Sequence, residues 1–246
     1  MLWMPQISTF RRRFWMAGPL VLQVGDCTVA CSYALPHQRG DALLQTRLRS
    51  VFADETLVHN EGLDGEATED FLKRYDRTMA RYPEIDLIIV RYGVNDRKRY
   101  GIGPFEAKLI ELCDLFERDY PQAKIILETG IYVDYPAHYA FDRNSKLEPV
   151  YRMIAKLAQQ RGYAVVDIFE RMKRETQQGN WDLRARGFGS VDEDFPVLGP
   201  ALDHIHGHDV RWFTNIHPNI QGIQTIVDEE ISVITQTWPT GLRAIA

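Results

Sequence analysis

The feature that most narrows the fold of this chain is an alternation of two kinds of segment. Five short, nearly continuous apolar runs occur at Leu20–Val24, Thr56–His59, Asp86–Arg91, Lys124–Glu128 and Ala164–Ile168. Strands that are apolar at almost every position are buried on both faces, and helices must then cover both sides of their sheet. The segments between them supply those helices, over about Asp41–Val51, Ala67–Tyr82, Pro104–Tyr120, Leu147–Arg161 and Pro218–Gln236. Pro104 and Pro218 suit a first helical turn, where a missing N–H costs nothing. The expectation is an α/β fold: a three-layer α/β/α sandwich around a five-stranded parallel sheet.

A chain of 246 residues, 45% of them hydrophobic, can bury one sizeable core. It has no Pro/Gly/Ser-rich linker, so residues 1–246 are expected to form one domain with its core over about 20–237. Two stretches break the rhythm: the aromatic, turn-rich Tyr132–Ser145, and a long insertion over about 172–215 that contains Trp181 and Trp212. Both follow strands, and ligands of open parallel sheets bind beyond the carboxyl ends of the strands. They are therefore expected to wall a substrate site.

Net charge is −5, with 29 basic and 34 acidic residues well mixed, which argues against a nucleic-acid partner. No apolar run approaches the roughly 20 residues that cross a bilayer, so no membrane partner is expected. Three cysteines are too few and too odd in number for a disulfide framework and fit a reducing compartment. Arg11-Arg12-Arg13 before an apolar stretch looks like a twin-arginine export signal. However, that stretch runs into Gly25-Asp26-Cys27 with no small-residue cleavage site, so a basic N-terminal arm and a cytoplasmic location are expected.

Three segments at strand ends and one at a helix start carry the chemistry. Val24-Gly25-Asp26-Cys27-Thr28-Val29 follows the first strand, Asn60-Glu61-Gly62-Leu63-Asp64-Gly65 the second, and Gly93-Val94-Asn95-Asp96 the third. Ile216-His217-Pro218-Asn219-Ile220-Gln221-Gly222 opens the last helix. A thiol between a strand and a helix N-terminus is in a place that lowers its pKa and so favours the reactive thiolate. An isolated cysteine there would read as a small buried hydrophobe, Asn95 as a turn residue and His217 as part of a helix start.

In this order and context the segments resemble the signature blocks of the SGNH (GDSL-type) hydrolases, over about residues 20–237. The resemblance implies a flavodoxin-like strand order and an acyl-ester or thioester hydrolase or acyltransferase acting on a small-molecule acyl substrate without a cofactor or metal. It makes Cys27 the nucleophile and first oxyanion donor, Gly62 the second donor through its N–H, Asn95 the third through its amide, and His217 the base. Preorganised donors facing a developing oxyanion are worth about 3–4 kcal/mol each. Asp26 and Asp96 are expected to be structural, Asp26 as a cap.

Two departures from the family stand out. Cys27 replaces its serine, which makes the intermediate a thioester and opens transfer to amines and thiols as well as hydrolysis. The family usually has Asp three residues before its histidine, where this chain has Thr214. Asn215 or a backbone carbonyl is left to orient His217, and a Cys–His dyad tolerates that loss better than a serine would. An engineered serine-to-cysteine exchange is the alternative origin of Cys27.

Further substrate contacts are expected from Arg97, next to Asn95, and from His208 and Trp212 in the long insertion. Asp203-His204-Ile205-His206-Gly207-His208-Asp209 has the look of a metal site. The order of its last two residues is reversed relative to the metallo-β-lactamase-like motif it approaches, and a polar loop beside the site is the plainer reading. The alternatives to a cysteine enzyme are thus a silent SGNH-like binding protein and, behind it, a metal-dependent hydrolase using this run.

Overall fold

The structure, a computed structural model, describes residues 18–52, 55–132, 143–179 and 217–243. Five strands form one parallel sheet: β1 (Leu20–Gly25), β2 (Leu57–Asn60), β3 (Leu87–Arg91), β4 (Lys124–Glu128) and β5 (Ala164–Val166). Their order is β2-β1-β3-β4-β5, with Gln23 level with Asn60 and Gly25 with Arg91. This is the expected flavodoxin-like arrangement, and its topological switch point lies between β1 and β3.

The central strands explain the order. Every residue of β3 is buried, as is β1 beyond Leu20, so both must lie inside the sheet. Only alternate positions of β2 are exposed, which suits an edge. Two sets of helices cover the faces. On one side α2 (Gly40–Phe52), α7 (Ile168–Gln177) and α8 (Ile220–Thr237) pack together; on the other lie α3 (Thr68–Met79), α5 (Ile102–Asp119) and α6 (Arg143–Arg161).

Three local expectations are corrected. The fifth strand stops at Val166, because Asp167 caps a helix: its Oδ1 accepts from the Glu170 N–H at 3.2 Å and from the Thr129 hydroxyl at 2.9 Å. Ile168, Phe169 and Met172 are the buried face of that helix, so Met172–Gln177 belong to α7 and not to the long insertion. Residues 180–216 lie outside the described residues. Pro218 precedes its helix, which Asn219 caps by accepting from the Gly222 N–H at 2.8 Å. A short helix, α4 (Val94–Tyr100), follows β3, with Asp96 reaching back to the Gly93 N–H at 3.1 Å.

Candidate active site

The turn after β1 is built by its aspartate. Asp26 Oδ1 accepts from the Thr28 N–H at 2.9 Å and from the Thr28 hydroxyl at 2.8 Å, as expected of a cap. This starts α1 (Cys27–Ala30), with Cys27 as its first residue. An N–H at that position has no acceptor within the helix. Burial raises Asp26 to about 6, against the hydrogen bonds from Thr28 and the charge of Arg91.

Cys27 is only 1% exposed. Burial, reinforced by Asp26 and Asp64, pushes its thiol well above the ordinary range, and a hydrogen bond from the Gly65 N–H opposes that shift. The expectation of a thiol activated by a helix N-terminus is therefore corrected. A helix of four residues has little dipole to offer, and desolvation of the thiolate outweighs it.

The loop after β2 is fastened to this turn at several points. Asn60 Nδ2 donates to Val29 O at 2.7 Å, while Asn60 Oδ1 accepts the Gly62 N–H at 2.9 Å. A Cβ on Gly62 would sit 2.6 Å from Ala30 N, so only glycine lets the two segments meet. The Gly62 N–H is thus engaged within the loop. Gly65 turns the chain with φ +72, and its backbone N–H counters the rise of the Cys27 thiol. Glu66 then takes Arg74 at 2.6 and 2.8 Å and the Tyr92 hydroxyl at 2.6 Å, which fixes the end of the loop.

The loop is also tied to the end of β3. Asn95 Nδ2 donates to Glu66 O at 2.9 Å, and Asp96 Oδ1 accepts from the Thr68 N–H at 2.8 Å. Cys27, Gly65 and Asn95 are in this way held at one edge of the sheet, beside the switch point. His217, just before the last helix, is fully buried beside Tyr33. The Tyr33 hydroxyl donates to Pro218 O at 3.1 Å, and its ring meets the His217 ring edge-on at 5.3 Å. Burial, followed by Cys31 and Cys27, holds the Tyr33 phenol un-ionised.

Arg97 lies half-buried on α4, and its buried Nε has no hydrogen-bond partner among the described residues. A cleft of about 660 Å³ opens beside the β2 loop, lined among others by Ser32, Arg39, Asp41, His59 and Asp64. Asn215, His208, Trp212, Thr214 and the 203–209 run lie outside the described residues. Among those described, no group of three or more His, Cys, Asp or Glu could hold a metal. Sequence reasoning passed over Gly65 and Tyr33. The Asp64-Gly65 pair was a readable turn signal, while nothing in the sequence marked Tyr33.

A thiol after β1, a glycine-bearing loop after β2, an asparagine after β3 and a histidine before the last helix follow one another along the fold. The pattern of the GDSL-like lipase/acylhydrolase family matches residues 24–224, and the chain belongs to that family. No curated protein sequence matches it. Among solved structures it is similar to a lipolytic G-D-S-L family protein from Veillonella parvula, at 13% identity and TM-score 0.65, covering 88% of this chain and 98% of that one. The acetylxylan esterase Axe2 of Geobacillus stearothermophilus is 18% identical with TM-score 0.62, over 89% and 94% of the two chains. An α/β hydrolase from the metagenome of Lake Arreo, LAE5, is 19% identical with TM-score 0.59, over 88% and 95%. At these identities the likeness is one of fold.

Proposed function

We propose that this chain hydrolyses small-molecule acyl esters through an acyl-enzyme on Cys27. The observation that carries the reading is the fastening of the β2 loop to the Cys27 turn through Asn60 and to Asn95 through Glu66. His217 takes the thiol proton as sulfur attacks the carbonyl carbon. The oxyanion is met by the Cys27 N–H, a backbone N–H of the Gly62–Gly65 loop, and the second amide hydrogen of Asn95. The C–O bond then breaks as His217 protonates the leaving alcohol, and water activated by His217 cleaves the thioester. Because burial keeps the thiol neutral at rest, proton transfer accompanies attack instead of preceding it.

Asn215 orients His217 in this reading, Arg97 takes an anionic group of the substrate, and His208 and Trp212 wall the site. Thioesters also pass acyl groups to thiols and amines, so an acceptor other than water belongs to the same proposal. Three free, buried cysteines suit a reducing compartment such as the cytoplasm. No described helix is long and apolar enough to cross a membrane. Axe2 is named for acetylxylan, which makes short acetyl esters the first class to assay.

The test is steady-state hydrolysis of short-chain aryl esters and acyl thioesters by the parent and by Cys27→Ala. Loss of all but a few per cent of turnover, with the fold intact, is the expected result. Retained turnover means another nucleophile. One observation favours a second reading, a silent binding protein of the same fold: the thiol is buried and un-ionised. That reading predicts no turnover in the parent on any ester.

A further inference from the structure

A charged cluster lies directly under the turn that carries Cys27. Arg91 from β3, Glu128 from β4 and Glu230 from α8 are 4%, 1% and 1% exposed. Arg91 Nε and Nη2 approach Glu128 Oε2 at 2.8 and 2.6 Å, and Nη2 also donates to Glu230 Oε1 at 3.0 Å. Gln23 Nε2 from β1 donates to that same Glu230 oxygen at 3.2 Å. The remaining guanidinium arm, Nη1, donates to Thr28 O at 3.0 Å, one residue from the nucleophile.

Two carboxylates on one guanidinium leave a net negative charge in a space that water does not reach, which is costly. The oxygens point to the resolution. Glu128 Oε1 and Glu230 Oε2 are buried with no hydrogen-bond partner among the described residues, and both carboxylates lie on the same Arg91 Nη2. Two carboxylates beside one buried guanidinium are balanced if one of them carries a proton, which also gives an unpartnered oxygen a hydrogen to donate. Glu128 takes the closer double approach of Arg91, whereas Glu230 has one guanidinium N–H and a neutral amide. Glu230 is therefore the better holder of the proton.

We propose that Glu230, protonated, donates to Glu128, and that Arg91, balanced by this one-proton pair, is the positioning residue that holds the Cys27 turn through Thr28 O. The reading of what is positioned rests on the proposed esterase site; the shared proton does not. Burial, and then the charge of Glu128, raise Glu230 well above the ordinary carboxyl range. A carboxyl raised on folding stabilises the protein below its unfolded value, and that stability is lost as pH climbs through the folded value. The other ionisable groups acting on Arg91 and its turn are the Cys31 thiol and the Asp26 carboxyl. The neighbouring acids of α8 face away, Asp228 toward Arg47 of α2 and Glu229 toward Arg171 of α7.

The test is infrared spectroscopy and thermal unfolding of the full chain across neutral to alkaline pH, with Glu230→Gln and Glu128→Gln. The parent is expected to keep the C=O stretch of a protonated carboxylic acid at pH 8, and both variants to lose it. In the first the acid is an amide; in the second Glu230 has Arg91 to itself and ionises. Glu230→Gln donates permanently to Glu128, so between about pH 7 and 10 its Tm falls less than that of the parent, by about 3–5 °C. A merely structural Glu230 would displace the curve equally at every pH. A parent without the band, a band that survives in both variants, or parallel Tm profiles would overturn the cluster. None of these readouts involves turnover, so such a failure leaves the esterase reading standing, and failure of the esterase assay leaves the cluster standing.

Discussion

At the scale of single residues, the account turns on a thiol that burial keeps protonated. Cys31 and Cys113 are raised by burial too, to about 11 and about 12, so iodoacetamide at neutral pH should distinguish Cys27 from neither. The Asp26 charge adds to the burial of Cys27 in raising its thiol. Asp26→Asn keeps an oxygen for the Thr28 cap and removes that charge, so alkylation of Cys27 at pH 8 should rise several-fold, read by peptide mass. Unchanged labelling would mean that burial alone sets the thiol. Serine is a harder case. A hydroxyl depends more than sulfur on a well-oriented imidazole, and loss of the correct tautomer has cost about 10⁴ in rate in a serine triad. Cys27→Ser should therefore lower kcat by orders of magnitude, and adding Thr214→Asp should recover part of it. A serine variant as fast as the parent would point to an orienting group other than those named.

At the scale of elements, the loop from Asn60 to Thr68 does most of the assembly. It is bonded to the turn after β1 through Asn60 and to the end of β3 through Glu66 and Thr68. Asn60→Ala removes the bond to Val29 O and leaves the Gly62 N–H without its acceptor, a cost of about 2–3 kcal/mol. A lower urea midpoint with an unchanged m-value is the expected signature. Asn95→Ala tests the other end. If its second amide hydrogen meets the oxyanion, kcat should drop by about 10²–10³ while KM changes little. An equal rise in KM would make Asn95 a substrate-binding group only.

At the scale of the whole molecule, pH acts through buried acids. Asp26 has a folded value of about 6 against 3.8 in the unfolded chain, so its contribution favours folding below about pH 4 and is lost as pH rises toward about 6. The shift corresponds to about 2–3 kcal/mol, and Asp26→Asn should flatten that part of the stability profile in urea titrations from pH 4 to 7.

The architecture was largely legible in the sequence because buried parallel strands are apolar throughout; β1, β3 and β4 announced themselves in that way. The end of β5 did not, since Ile168 and Phe169 extend an apolar run that Asp167 has already turned into a helix by capping it. In the site, Cys27, Asn95 and His217 were readable from motif order. That the Gly62 N–H is taken up within its own loop was not, because that depends on the Asn60 side chain. The Arg91 cluster joins residues 37 and 139 positions apart, and no local pattern signals such a meeting.

The central claim is a covalent acyl-enzyme on Cys27, and intact-mass analysis after brief exposure to activated acetyl esters and acyl thioesters tests it most directly. The account predicts a gain of one acyl group in the parent, mapped to the peptide that contains Cys27, decaying as hydrolysis proceeds and absent from Cys27→Ala. Turnover of the same esters with no adduct, or with the acyl group on another residue, would contradict it.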